Sequence, residues 1–268
     1  NAGLPDETGH YNLSPEQMAG YIKEYSEKNL VNIVGGCCGS KPEHIAAIAD
    51  AIKGCQPRTT PSPTKSMHLS GMEAFNIEDD SRLVKIAEKT NVSGSRKFAR
   101  LIREEKYEEA LDIARQQINE GSDMLNNNLE ESMIDTHEII KTFLNHLQAE
   151  PDIASVPVML DSSDFNVIEN GLKCLQGRSV VNSISLKEGE EAFKKEAETI
   201  KQLGAIPVVM AFDEQGQADT FRRKTEICQR AYNILTGELH FPAENIIFDP
   251  IVLTIGTGIE EHNQYAAD

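Results

Sequence analysis

Tryptophan is absent from this chain of 268 residues, and aromatic residues make up 6% of it; the gap carries no functional information. No apolar run approaches the roughly 20 residues that a membrane-spanning helix needs. The opening residues show no leader pattern of basic then apolar residues. Positive charge is also scarce: 26 Lys and Arg face 43 Asp and Glu, a formal net charge of −17. The acids lie along helix faces rather than in a tail, and no cluster of Lys and Arg is available to track a phosphate backbone. Neither a nucleic acid nor a membrane is expected as a partner. Five cysteines without a repeating spacing do not make a secreted disulfide framework. They fit a reducing, cytoplasmic compartment.

What is present divides into three. Residues 1–54 read as two helices around one strand. Ser14 to Lys28 carries Met18, Ile22 and Tyr25 at helical spacing, and Pro42 to Lys53 carries Ile45, Ile48, Ala49 and Ile52. Between them, Leu30 to Val34 reads as a buried strand. Such a piece cannot bury its own apolar faces and needs a neighbouring surface. Residues 55–68, with Pro57, Pro61 and Pro63, read as an extended linker. From residue 69 to 268 short apolar runs alternate with helical patterns. The expected strands are Leu83–Ala87, Met124–Asn128, Val156–Leu160, Val180–Ile184, Ile206–Phe212 and Ile246–Phe248. The expected helices are Lys97–Glu120, Glu131–Leu147, Phe165–Cys174, Glu190–Leu203, Ala218–Leu235 and a start at Glu260, with Gly121 and Gly204 as C-caps. Strand and helix in alternation with short connections mean parallel βαβ units. The fold class is therefore α/β: parts of two (β/α)8 TIM-type barrels joined by a Pro-rich linker, the second lacking its last two units.

Two groups of residues carry chemistry. In Gly35-Gly36-Cys37-Cys38-Gly39 two thiols follow an apolar run and precede a helix start, with Ser40 read as the cap and Pro42 in the first turn. The positive end of a helix favours thiolate, the form that binds soft metals. Two cysteines do not complete a tetrahedral zinc site, and a buried or oxidised pair fits the spacing equally. The second group closes the apolar runs: Asn126, Asn128 and Glu130; Asp161, Ser162 and Ser163; Asn182, Ser183 and Ser185; Asp213 and Glu214; and Asp249. In a (β/α)8 barrel these ends build the active site. Each residue taken alone could instead cap a helix or shape a turn, as Asp161 to Ser163 could. Together they form an acidic and amide-rich set, with Lys187 the only nearby base. Such a set suits a neutral heterocycle offering N–H donors and a carbonyl.

The motifs resemble the cobalamin-dependent methionine synthase family. The Gly-Gly-Cys-Cys-Gly turn with Pro42-Glu43-His44-Ile45 is similar to the end of that family's homocysteine-binding barrel. Thr90-Asn91-Val92-Ser93-Gly94-Ser95-Arg96, Leu160-Asp161-Ser162-Ser163, Val181-Asn182-Ser183-Ile184-Ser185-Leu186-Lys187-Glu188-Gly189, Ala211-Phe212-Asp213-Glu214-Gln215-Gly216 and Phe248-Asp249-Pro250 are similar to its pterin-binding barrel, in order and over residues 69–268.

This resemblance implies methyl transfer from 5-methyltetrahydrofolate, through cobalamin held by another domain, to homocysteine. It implies zinc on Cys37, Cys38 and a third cysteine that none of Cys55, Cys174 or Cys228 matches. It implies Asp161 and Asn182 as catalytic residues. It implies pterin contacts from Glu88, Asn91, Asn126, Asn128, Asp161, Asn182, Asp213 and Asp249. The chain departs from the family pattern at Lys89 (Arg there), Asn126 (Asp), Glu130 (Asp) and Ile251 (Asn). Two other readings follow from the same residues: a folate-binding scaffold without catalysis, and another corrinoid-dependent pterin methyltransferase.

Overall fold

The computed structural model describes residues 1–62, 65–130 and 135–252. The chain separates into two compact units, Asn1–Thr64 and Lys65–Asp268. The expected helix start at Glu260 and the first residues of the expected Glu131–Leu147 helix lie outside the described residues. Among the described residues no helix is long and apolar enough to cross a membrane.

The first unit is built on a helix pair, α1 (Pro15–Glu27) and α2 (Pro42–Ala51). Ser14 caps α1 and Gln17 returns the bond to the Ser14 N–H, a reciprocal capping box. At α2 the expected cap is corrected. Lys41 holds the N-cap position, and its N–H donates to His44 Nδ1, 3.1 Å away. Ser40 Oγ is occupied elsewhere, accepting from the Cys37 N–H at 3.1 Å. The expected strand at Leu30–Val34 is also corrected. The segment has no ladder among the described residues, and Leu30 and Ile33 are 57% and 92% exposed. A strand is defined by its neighbour, and an apolar run without one stays irregular. Residues 55–62 form neither helix nor strand.

The second unit opens with a hairpin, β1 (Met67–Ser70) against β2 (Ala74–Ile77), which the sequence pattern does not announce. There follow β3 (Ile86–Ala87), α3 (Arg96–Arg103), α4 (Tyr107–Asn119), β4 (Met124–Asn127), α5 (Thr136–Gln148), α6 (Pro151–Ala154), β5 (Val158–Asp161) and α7 (Phe165–Leu172). The chain continues through β6 (Val180–Ile184), α8 (Glu190–Gln202), β7 (Ile206–Met210), the small hairpin of β8 (Phe212–Asp213) and β9 (Gly216–Gln217), α9 (Phe221–Asn233) and β10 (Ile247–Asp249). The strands β3, β4, β5, β6, β7 and β10 form one parallel sheet in that spatial order.

Parallel neighbours in chain order require every crossover to turn the same way, so all the helices fall on one face. The result is a curled half-barrel. The larger apolar cluster fills the space between sheet and helices, with Phe98, Phe143 and Phe193 fully buried in it. On the opposite face Met124, Met159, Val180, Ile206 and Val208 meet Leu69 of the hairpin. These residues come early in their strands, so the hairpin covers the N-terminal end of the concave face.

Three boundaries differ from expectation for local reasons. The expected helix over residues 97–120 is two, because Glu105 takes a left-handed φ of 54° and ends α3. Leu83 and Val84 do not join β3. Asp123 instead binds Arg82 and the Lys85 N–H, and holds that stretch beside the sheet edge. The helix expected from Ala218 starts at Phe221, capped by Thr220.

One core position runs against the pattern. Asn126 faces the concave side, so by alternation Asn127 faces the helices, where its registered neighbour is Leu160. Asn127 is fully buried, and among the described residues neither its amide oxygen nor its nitrogen has a hydrogen-bond partner. Unpaired buried polar groups cost about 1–3 kcal/mol each. Asn127→Val should therefore raise stability by about 1–3 kcal/mol. The measurement is a urea unfolding midpoint at unchanged slope; a lowered midpoint would show the amide to be paired in solution.

Candidate functional site

Alternation along each strand makes the concave face a layered surface. Above the apolar floor come the residues that close the runs: Asn126 on β4, Asp161 on β5, Asn182 on β6, Met210 on β7 and Asp249 on β10. Asp161 and Asn182 are registered neighbours on adjacent strands, as are Asp249 and Met210. Glu88, just after β3, joins them. The Asn126 side chain nitrogen donates to Glu88 Oε2 at 3.0 Å and to Asp161 Oδ2 at 3.2 Å. Two carboxylates thus share one amide, and that fixes which way the amide points. An aspartate here would bring three carboxylates together, and like charges so close repel. The amide at 126 avoids that. Its own oxygen is buried and has no hydrogen-bond partner among the described residues.

The cap reading of Asp161 to Ser163 is settled by Asp164, whose Oδ1 accepts from the Asn166 N–H and caps α7. Asp161 is left for the cleft. Ser162 and Ser163 are held by Glu130, which accepts from the Ser163 N–H at 2.7 Å and from both serine hydroxyls. The Ser163 hydroxyl chiefly, with the Ser163 N–H and the Ser162 hydroxyl, keeps the Glu130 carboxyl below its usual range despite partial burial. β6 adds an irregularity between Asn182 and Ile184. Consecutive residues on a regular strand point to opposite faces; a bulge lets Asn182 and Ser183 line the same cleft.

Other candidates are placed differently. Asn91 and Asn128 pair across a parallel bridge, but each spends its side chain oxygen on its own turn. Asn91 accepts from Ser93 and Gly94, and Asn128 accepts from Glu130. Asp213 lies in the β8–β9 hairpin, where Oδ1 takes Arg223 at 2.6 Å and the Gln215 N–H. Its neighbour Glu214 forms a two-pronged pair with Arg230, which brings that carboxyl down to about 2. These pairs hold the hairpin to α9.

The cleft beside Asp161 and Asn182 has a volume of about 360 Å³. Its walls include Ser163 and residues the sequence does not mark out as site candidates: Glu196, Met210 and Phe212. Glu196 is half-buried in α8, and burial first, then the charge of Glu188, pushes its carboxyl up.

In the first unit, Cys37 and Cys38 are exposed free thiols with their sulfurs 3.7 Å apart. Zinc–sulfur bonds of about 2.3 Å in a tetrahedron set sulfurs roughly 3.8 Å apart, so the pair spans one edge of such a site. No set of three or more His, Cys, Asp or Glu able to hold a metal occurs among the described residues. The backbone N–H of Cys38, and then its thiol, lower the Cys37 pKa. Burial raises those of Cys174 and Cys228, the latter also through Asp249. Iodoacetamide should therefore modify Cys37 well before Cys174 and Cys228 near neutral pH, as peptide mapping over time would show. Equal rates at the three sites would contradict this.

Residues 87–268 match the pterin binding enzyme family, and residues 1–52 match the homocysteine S-methyltransferase family. Among solved structures, Yersinia pestis DHPS with a pterine–sulfa conjugate is similar at 14% identity and a TM-score of 0.49, over 75% of this chain and 71% of that one.

Proposed function

We propose that this chain, which belongs to the pterin binding enzyme family, holds 5-methyltetrahydrofolate at the C-terminal ends of β4, β5 and β6 for methyl transfer to homocysteine by way of cobalamin. The observation that carries the reading is the clasp of Glu88, Asn126 and Asp161, with Asn182 registered beside it. Acceptors and amides arranged this way match a ring with several N–H donors and one carbonyl. The carboxylate of Asp161 would also favour a ring that gains a proton, and protonation at N5 makes the amine the better leaving group. A cleft with several carboxylates and one lysine disfavours a pyrophosphate-bearing substrate.

The match of residues 1–52 to homocysteine S-methyltransferases supports homocysteine as the acceptor. Cys37 and Cys38 would hold two positions on a zinc ion, which when bound supplies a Lewis acid for the homocysteine sulfur. No residue of this chain is assigned to cobalamin, which would be carried on another domain. In this reading the half-barrel is part of a (β/α)8 barrel over residues 69–268. Residues 1–54 close another such barrel, 55–68 link them, and the setting is cytoplasmic.

Calorimetric titration with 5-methyltetrahydrofolate on both sides of neutrality tests the proposal. Binding that strengthens as pH falls supports it, and no heat from a folded chain overturns it. A second reading, folate binding without transfer, is favoured by Ile251. A branched residue at φ 54° there puts an apolar side chain beside the end of β10. Binding without methyl loss to added cob(I)alamin would select that reading.

A further inference from the structure

A pterin ring held by Asp161 and Asn182 uses one end of the cleft. The same cleft is also lined by Met210, Phe212, Ser163 and Ser185, and its described lining carries a single cation. Lys187 is the only Lys, Arg or His among the described lining residues. Its ammonium lies 5.7 Å from the centroid of the Phe212 ring, within range of a cation–π contact that keeps it over the cleft. Among the described residues it pairs with Glu188 at 3.9 Å, and both side chains are mostly in water, 58% and 76% exposed. That pair is weak. The ammonium is therefore available to an incoming anion.

We propose that Met210, Phe212 and Lys187 form a subsite for the arm on C6 of the pterin: the two apolar side chains meet its aryl ring, and Lys187 pairs with a carboxylate of the first glutamyl group. This rests on the pterin reading above. The same walls limit the subsite. Glu188 and Glu196 line the cleft too, so further carboxylates find no second lysine or arginine among the described lining residues and meet two acids instead. A longer polyglutamate arm gains nothing from these described residues.

The test compares three ligands on the full chain: 5-methyltetrahydrofolate with one glutamate, its triglutamate, and a 5-methyltetrahydropterin without the arm. Lys187→Gln should weaken the monoglutamate about three- to fivefold, the size of an exposed charged contact. It should leave the armless pterin within about twofold, and Lys187→Arg should restore the monoglutamate. The triglutamate should bind the unsubstituted chain no tighter than the monoglutamate. Equal losses for armed and armless ligands, no loss with Lys187→Gln, or a tighter triglutamate would each overturn the subsite while leaving the pterin site standing. Failure of all three ligands to bind the unsubstituted chain would remove the pterin reading and the subsite with it.

Discussion

Asp161→Ala should cost about 2–3 kcal/mol of folate binding, roughly 30- to 140-fold in Kd, because hydrogen bonds to a charged group in a sheltered site are worth that much. The fold should tolerate it. Asn126 loses one of two partners and keeps Glu88 at 3.0 Å, so unfolding free energy should change by less than about 1 kcal/mol. Separate outcomes on binding and stability distinguish a ligand contact from a structural one. Asp161→Asn retains an acceptor without the charge and should fall between. Calorimetry on the three chains, with urea unfolding beside it, reads both quantities. Binding unchanged in Asp161→Ala would move the site away from β5.

The second large effect is on stability. At the tip of the β1–β2 hairpin a Cβ on Gly71 would sit 2.3 Å from the Ala154 carbonyl oxygen and 2.4 Å from that of Val156. Gly177 mirrors it, with φ at 80° and the Ser70 carbonyl oxygen 2.3 Å from the same construction. Hairpin and sheet meet here backbone to backbone. Met72 donates to Ala154 at 2.7 Å, and Ser70 and Arg178 exchange both their backbone bonds. No side chain can give way, so Gly71→Ala must lift the hairpin. The expected cost is about 3 kcal/mol or more, from the lost bonds and the uncovering of Leu69, now 1% exposed. Met72→Ala, at a position 61% exposed, should change stability by less than about 0.5 kcal/mol. Similar midpoints for the two variants would show that the hairpin does not close the sheet.

The six parallel strands are legible because a strand covered on both faces reads as a continuous apolar run. Val180–Ile184 keeps its expected bounds, and the others shift by a few residues. The same signal misleads at Leu30–Val34, since an apolar run says nothing about whether a neighbour is there to pair. The β1–β2 hairpin is invisible for the converse reason. Its burial rests on Met124, Val180 and Ile206, which are far away in the chain. The break at Glu105 carries no glycine or proline to mark it. Among site residues, Asp161 and Asn182 stand out as polar ends of apolar runs. That rule says equally that Asp213 should face the cleft, yet Arg223, ten residues on, takes its carboxylate. Glu196 lies within α8, where a glutamate looks like any solvent-facing helix residue.

The floor of the half-barrel has a consequence for how the chain assembles. Each parallel strand pairs with the parallel strand before it, so the sheet can grow in the order of synthesis, with mostly short loops to close. The hairpin is complete early, but its contacts are completed late: it bonds Ala154 and Ser155 first in chain order, and the backbone N–H of Arg178 donates to Ser70 Oγ across a separation of 108 residues. Until β6 is in place, the surface that the hairpin covers lacks Val180, and the exchange of bonds between Ser70 and Arg178 cannot form. A chain whose strands pair before the hairpin is fully seated would leave part of that underside bare. That stage is where a chaperone, or another unfinished copy, would find an apolar surface to hold.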